Sequence, residues 1–127
     1  MPRIILFSCA CFLLFFCSSC EEDLDQNLLY GDWQAHEYKV SGKSKATDLS
    51  KINFNFNAKN VYTFQGGPIH KEAGNYKISG NILYSTDTLN TDRIEKAVKI
   101  TLLNTDSLHI DMNNGGVEEV LKFHKIK

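Results

Sequence analysis

Apolar side chains at every second position, in runs too short for helices, constrain this chain more than any other feature. Lys51 to Phe56 (KINFNF) is the clearest run: Ile52, Phe54 and Phe56 fall on one side of an extended backbone, with Lys51, Asn53 and Asn55 on the other. Similar runs cover Gly31 to Val40, Val61 to Phe64, Asn75 to Ile78 and Ile82 to Thr86. Ile94, Val98, Ile100 and Leu102 follow at even spacing, then Leu108, Ile110 and Met112, and finally Val117 to Ile126. Gly, Asn and Asp clusters separate the runs, which is the pattern of strands joined by turns.

About eight such strands and no long amphipathic helix predict an all-β antiparallel meander. Its apolar face must be covered, and an up-and-down barrel covers that face while removing the exposed edges. An open sandwich is the second choice. Two turns set registers. Gly80-Asn81 suits a tight hairpin that puts Ile78 opposite Leu83. Reading Asn113 to Gly116 as a turn puts Met112 opposite Val117, Ile110 opposite Glu119 and His109 opposite Val120.

The N-terminus has a different character. Arg3 precedes an apolar and small run from Ile4 to Phe16, and Cys17-Ser18-Ser19-Cys20 follows. That order is expected of a secretory signal, and the run is shorter than the roughly 20 residues a spanning helix needs. Small residues at Ser18 and Ser19 before Cys20 resemble the cleavage box of bacterial lipoprotein precursors, with Cys17 where a leucine is usual. The resemblance implies a signal peptide over residues 1–19 and a lipid, palmitate among its acyl chains, on Cys20. Glu21-Glu22-Asp23 resembles the export signal that takes lipoproteins of Bacteroidetes-type bacteria to the surface of the outer membrane; it reads equally as a solvated linker. The expected organisation is a leader over 1–19, an acidic tether over 20–27 and a domain over 28–127.

Once Cys9, Cys11 and Cys17 leave with the leader and Cys20 takes the lipid, no disulfide is possible, so the domain depends on its own core. Thirteen Lys and Arg against fifteen Asp and Glu then leave a net charge of −2. Without a basic field, nucleic acid is not an expected partner.

Leu28 to Trp33 (LLYGDW) resembles the opening of lipocalins, where a short helical turn precedes Gly-x-Trp and the tryptophan plugs one barrel end. Gly74 to Leu83 (GNYKISGNIL) is similar to a hairpin of short lipocalin-like lipoproteins of Bacteroidetes. The resemblance implies a non-enzymatic surface barrel that binds a small apolar or amphipathic molecule. The chain is shorter than the classical family and lacks its helix after the barrel. A barrel of eight strands is near the size that side chains alone can fill. Trp33, Phe54, Phe56, Tyr76 and Phe123 therefore either line a pocket or make a solid core. A solid barrel would act through its surface, as an inhibitor, an immunity factor or an accessory of an envelope complex, with Ser41 to Ser50 and Gln65 to Glu72 as its contact loops. A purely structural envelope role is not separable from that alternative.

Other constellations carry less. Ser107, His109 and Asp111 share one strand face, but side chains roughly 6.5 Å apart and parallel do not converge on one reacting atom. His36, His70, His109 and His124 show no metal-ligand spacing, and no cofactor motif is present, so no metal, cofactor or enzymatic activity is expected. Glu119 and Lys96 fall on the apolar face of their strands. Either they neutralise each other or polar neighbours, or they mark a polar ligand point inside a cavity.

Overall fold

The computed structural model describes residues 24–90 and 93–127. The expected leader, Cys20 and its lipid, and the first part of the tether lie outside the described residues. The remaining runs form strands β1 (Gly31–Val40), β2 (Lys43–Ser44), β3 (Ile52–Phe56), β4 (Val61–Gly66), β5 (Lys71–Ser79), β6 (Ile82–Asp87), β7 (Glu95–Leu103), β8 (Ser107–Asn114) and β9 (Val117–Lys125). Each pairs antiparallel with its neighbour, and β1 also pairs with β9. β1 and β3 to β9 thus close into an eight-stranded up-and-down barrel, with β2 a two-residue spur on β1. Closure leaves the meander no long free edge.

One end is stoppered. The 3-10 turn Gln26–Leu29, capped by the Asp25 carboxylate on the Asn27 amide, folds over the strand ends, and the Trp33 indole donates to the Leu29 carbonyl at 2.8 Å. Leu29, Trp33, Phe56, Tyr62 and Phe123 are all fully buried there, and Tyr76 meets Phe56 edge-on at 5.0 Å. Ordered contacts already begin at Leu24, whose amide donates to the Gly80 carbonyl at 3.2 Å. Gly31 enters β1 at φ 127 with the Lys127 carbonyl 2.2 Å from where a Cβ would stand, so only glycine fits between the entering chain and the C-terminus. β1 runs from this end towards the open one, where the β4–β5, β6–β7 and β8–β9 connections and the long segment before β3 gather.

The Gly80-Asn81 hairpin has the expected register, Ile78 opposite Leu83. The last hairpin does not. Gly115 and Gly116 both take positive φ (60 and 88) and make a two-residue loop, so Asn113 and Asn114 remain in the strand. Met112 consequently pairs with Glu119, Ile110 with Leu121 and His109 with Lys122, a slip of two positions that leaves every face unchanged. Two register shifts do change faces. One between Ala35 and Glu37 carries Tyr38 to the interior after Trp33 and Ala35. Another between Ile100 and Leu102 turns Leu102 outward, 39% exposed, and packs Leu103 against the core instead. An extra residue of this kind flips the alternation and adds the bend a closed barrel needs.

Candidate functional site

The open half of the barrel is hollow. A cavity of about 530 Å³ lies between apolar walls from Ile52, Phe64, Val98, Met112 and Leu121. A smaller pocket of about 80 Å³, floored by Phe54, Tyr62, Leu83 and Ile110, continues beneath it. The main volume falls in the range of small-molecule sites, which pair apolar walls with a few placed polar groups. Here Asn113 and Asn114 stand at the rim on β8, and the charged groups form two stations on β5 and β9, which stand four strands apart in either direction around the ring.

The first station is Glu72, on the interior face of β5 with Gly74 and Tyr76. It is 5% exposed. The Tyr62 hydroxyl donates to its Oε1 at 3.2 Å, while Lys96 Nζ at 2.9 Å and His70 Nε2 at 2.7 Å meet its Oε2. Burial pushes this carboxyl up, but the hydrogen bonds and charge supplied by His70 and Lys96 outweigh burial and hold it below the ordinary value. The Tyr62 phenol is pushed well above its ordinary value, first by burial and then by the Glu72 charge.

The second station is Glu119 with Tyr38. The Tyr38 hydroxyl donates to Glu119 Oε1 at 2.9 Å; burial, and after it this hydrogen bond, pushes the phenol up to about 12. Among the described residues no cationic side chain lies within ion-pair distance of Glu119. The exposed Lys45 ammonium sits 5.1 Å over the Tyr38 ring.

Of the residues singled out in the sequence, Lys96 and Glu119 line the mouth, each held by its own partner and not by the other. Phe54 is half-buried and borders the lower pocket. Trp33, Phe56, Tyr76 and Phe123 fill the closed half and do not border the mouth. The interior is therefore solid at one end and hollow at the other.

Glu72, Tyr38 and Tyr62 complete the site although the sequence does not mark them, and His70 joins it as a partner of Glu72 rather than as a metal ligand. A signal existed for Glu72: extending the run of Tyr76 and Ile78 back by even steps through Gly74 reaches it. A charged residue beside a glycine- and proline-bearing loop reads as loop, which hid that extension.

Ser107, His109 and Asp111 lie opposite the apolar face of β8, and the Ser107 hydroxyl donates to Asp106 at 2.9 Å. His36 and His124 come together, ring centres 5.5 Å apart, because the bulge of β1 places His36 beside β9. Among the described residues no group of three His, Cys, Asp or Glu is arranged to hold a metal. On the rim, the buried Asp87 carboxylate accepts from the Leu89 amide at 2.9 Å and from the Asn90 side chain, and Asn90 reaches the Lys71 carbonyl at 3.3 Å. That ties the β4–β5 and β6–β7 loops together beside a cleft of about 570 Å³ lined by His70, Arg93 and Ile94.

Comparison with known proteins agrees with this geometry. Residues 29–110 match the family model described as a lipocalin-like domain. The structure is similar to that of a lipocalin-like protein from Bacteroides uniformis, with 20% identity over 78% of this chain and 99% of the other and a TM-score of 0.56. It is equally similar, also at a TM-score of 0.56, to an uncharacterized protein from Bacteroides eggerthii, with 19% identity over 76% of this chain and 98% of the other. No curated protein matches the chain. The matched segment begins at Leu29, which receives the Trp33 indole bond, and runs to Ile110 in β8. The chain belongs to the lipocalin-like domain family.

Proposed function

We propose that the barrel is a non-enzymatic binding module which takes a small amphipathic molecule through its open mouth, and that a lipid on Cys20 holds it at the outer membrane with the domain on the cell surface. The observation that carries the first part is the cavity of about 530 Å³, whose lining is divided between apolar wall and polar groups, as an amphipathic ligand requires. An apolar tail gains roughly 0.8 kcal/mol for each methylene it buries there. A polar head would meet the Glu72 and Glu119 stations near the surface.

Native mass spectrometry of the domain after incubation with cell extract tests this. A saturable adduct is expected, and filling the mouth with Val98→Trp should abolish it; a protein that stays empty sinks the reading. Support for the anchor is the Cys20 motif alone. Cys20→Ala should release the protein from the membrane fraction, and retention of that variant would count against it.

A specific observation also favours a second reading, a protein-contact module. Ile69 is 96% exposed, with Leu89 at 62% and Ile94 at 60% on the neighbouring rim loop. Such side chains are unusual together on a free surface. Affinity capture from the native envelope should then recover one stoichiometric partner that Ile69→Ser loses.

A further inference from the structure

The two stations of the mouth differ in what they leave open. Glu72 receives three donors, one of them the Lys96 ammonium, so its charge is already met. Glu119 projects inward between Val40 of β1 and Met112 of β8, and its hydrogen-bond partner is the neutral Tyr38 hydroxyl on one oxygen. Among the described residues Glu119 has no ion-pair partner, and a carboxylate beside an apolar wall with a single neutral donor favours a ligand that brings a positive charge.

Tyr38 adds to this preference. Its hydroxyl donates into a carboxylate, which enriches the ring in electrons, and the ring already attracts an ammonium, that of Lys45 at 5.1 Å. Lys45 is exposed, so a ligand ammonium displaces it at little cost. Beside the station, Ile52, Phe64 and Leu121 offer apolar wall for a tail.

We propose that Tyr38 and Glu119 form an ammonium site, and that the ligand class of the barrel is the cationic amphiphile: an amine head seated between the Glu119 carboxylate and the Tyr38 ring, with an apolar tail in the cavity. The inference rests on the binding-module reading given above and narrows it to one head-group charge.

Isothermal titration of the domain beginning at Glu21, whose described residues close the barrel and carry its core, compares dodecylamine, dodecanol and dodecanoate below their micellar concentrations. Dodecylamine is expected to bind about tenfold more tightly than dodecanol, as one charge-assisted hydrogen bond implies, with dodecanoate the weakest of the three. Glu119→Gln should remove the advantage of the amine over the alcohol, and Tyr38→Phe should reduce it while leaving the carboxylate in place. Melting curves of both variants confirm folding. Dodecanoate binding as tightly as the amine would assign the head group to Lys96 and His70 and overturn the proposal. An amine advantage that survives Glu119→Gln overturns it as well. If dodecanol binds but the amine gains nothing, the charge preference alone fails; if none of the three binds, the binding-module reading fails with it.

Discussion

Replacing Lys96 by methionine keeps much of the side chain's apolar length and removes the ammonium that meets Glu72 at 2.9 Å. Removing one partner of a fully buried ion pair costs about 3–5 kcal/mol, because the other charge is left in a poor environment. Glu72 is that buried, at 5% exposed, but the Lys96 side chain is 52% exposed and His70 and Tyr62 still reach the carboxylate. Solvent screening and the surviving bonds reduce the expected loss to about 1–2 kcal/mol at neutral pH. For a domain of this size that lowers Tm by roughly 5–15 °C. The fluorescence of Trp33, the single tryptophan and fully buried, reports the unfolding.

The pH dependence has a definite sign. In the native protein the folded Glu72 carboxyl titrates below its unfolded value, so its stabilising contribution is present above the ordinary carboxylate range and is lost as pH falls through the lowered folded value. Without Lys96, burial meets less opposition and the carboxyl rises. The gap between Lys96→Met and the native protein should therefore be widest at neutral pH and shrink through the carboxylate range, where Glu72 protonates and no longer needs the ammonium. In a Glu72→Gln background the same Lys96 replacement should cost much less. A loss at neutral pH within about 0.3 kcal/mol of zero, or one of constant size at every pH, would refute the pairing as the source of the effect.

Three further outcomes follow from the geometry. Gly74→Ala places a Cβ where the Thr86 carbonyl oxygen lies only 1.9 Å away, so β5 and β6 must part; denaturant unfolding should show a loss of about 1–3 kcal/mol. Leu103→Ala should cost about 2 kcal/mol and Leu102→Ala under about 0.5 kcal/mol, and the reverse order in the same assay would contradict the bulge in β7. The Tyr38 phenol, pushed up to about 12, should titrate lower in Glu119→Gln without reaching its ordinary value, because burial is the larger cause; NMR of labelled tyrosine reads the midpoint.

The strands were legible where alternation is unbroken. Ile52, Phe54 and Phe56 have the interior face that their spacing implies, and Gly80-Asn81 sets its hairpin as the chemistry of positive φ requires. What was not legible depends on single inserted residues. The bulge near His36 brings Tyr38 inside, and the one near Thr101 exchanges Leu102 for Leu103, yet neither leaves a mark in residue type. The β8–β9 register differs from the one that Asn113 to Gly116 suggests because two consecutive glycines at positive φ suffice for the loop and leave both asparagines in the strand. The site was half legible for a related reason. Lys96 and Glu119 stand out as charges among apolar neighbours, whereas Glu72 belongs to a stretch whose composition suggests a loop although β5 extends through it and keeps it on the face of Tyr76.

Two side chains at opposite ends of the barrel make the most direct test of where a ligand enters. Met112 lines the open mouth and Trp33 stoppers the closed end, so the Met112 methyl and the Trp33 indole NH are separate NMR reporters. Titration with dodecanol should shift the Met112 methyl saturably while the Trp33 indole, bound to the Leu29 carbonyl, stays still. A silent Met112 beside a moving Trp33, or no saturable shift at either, would show that the mouth is not where this barrel binds.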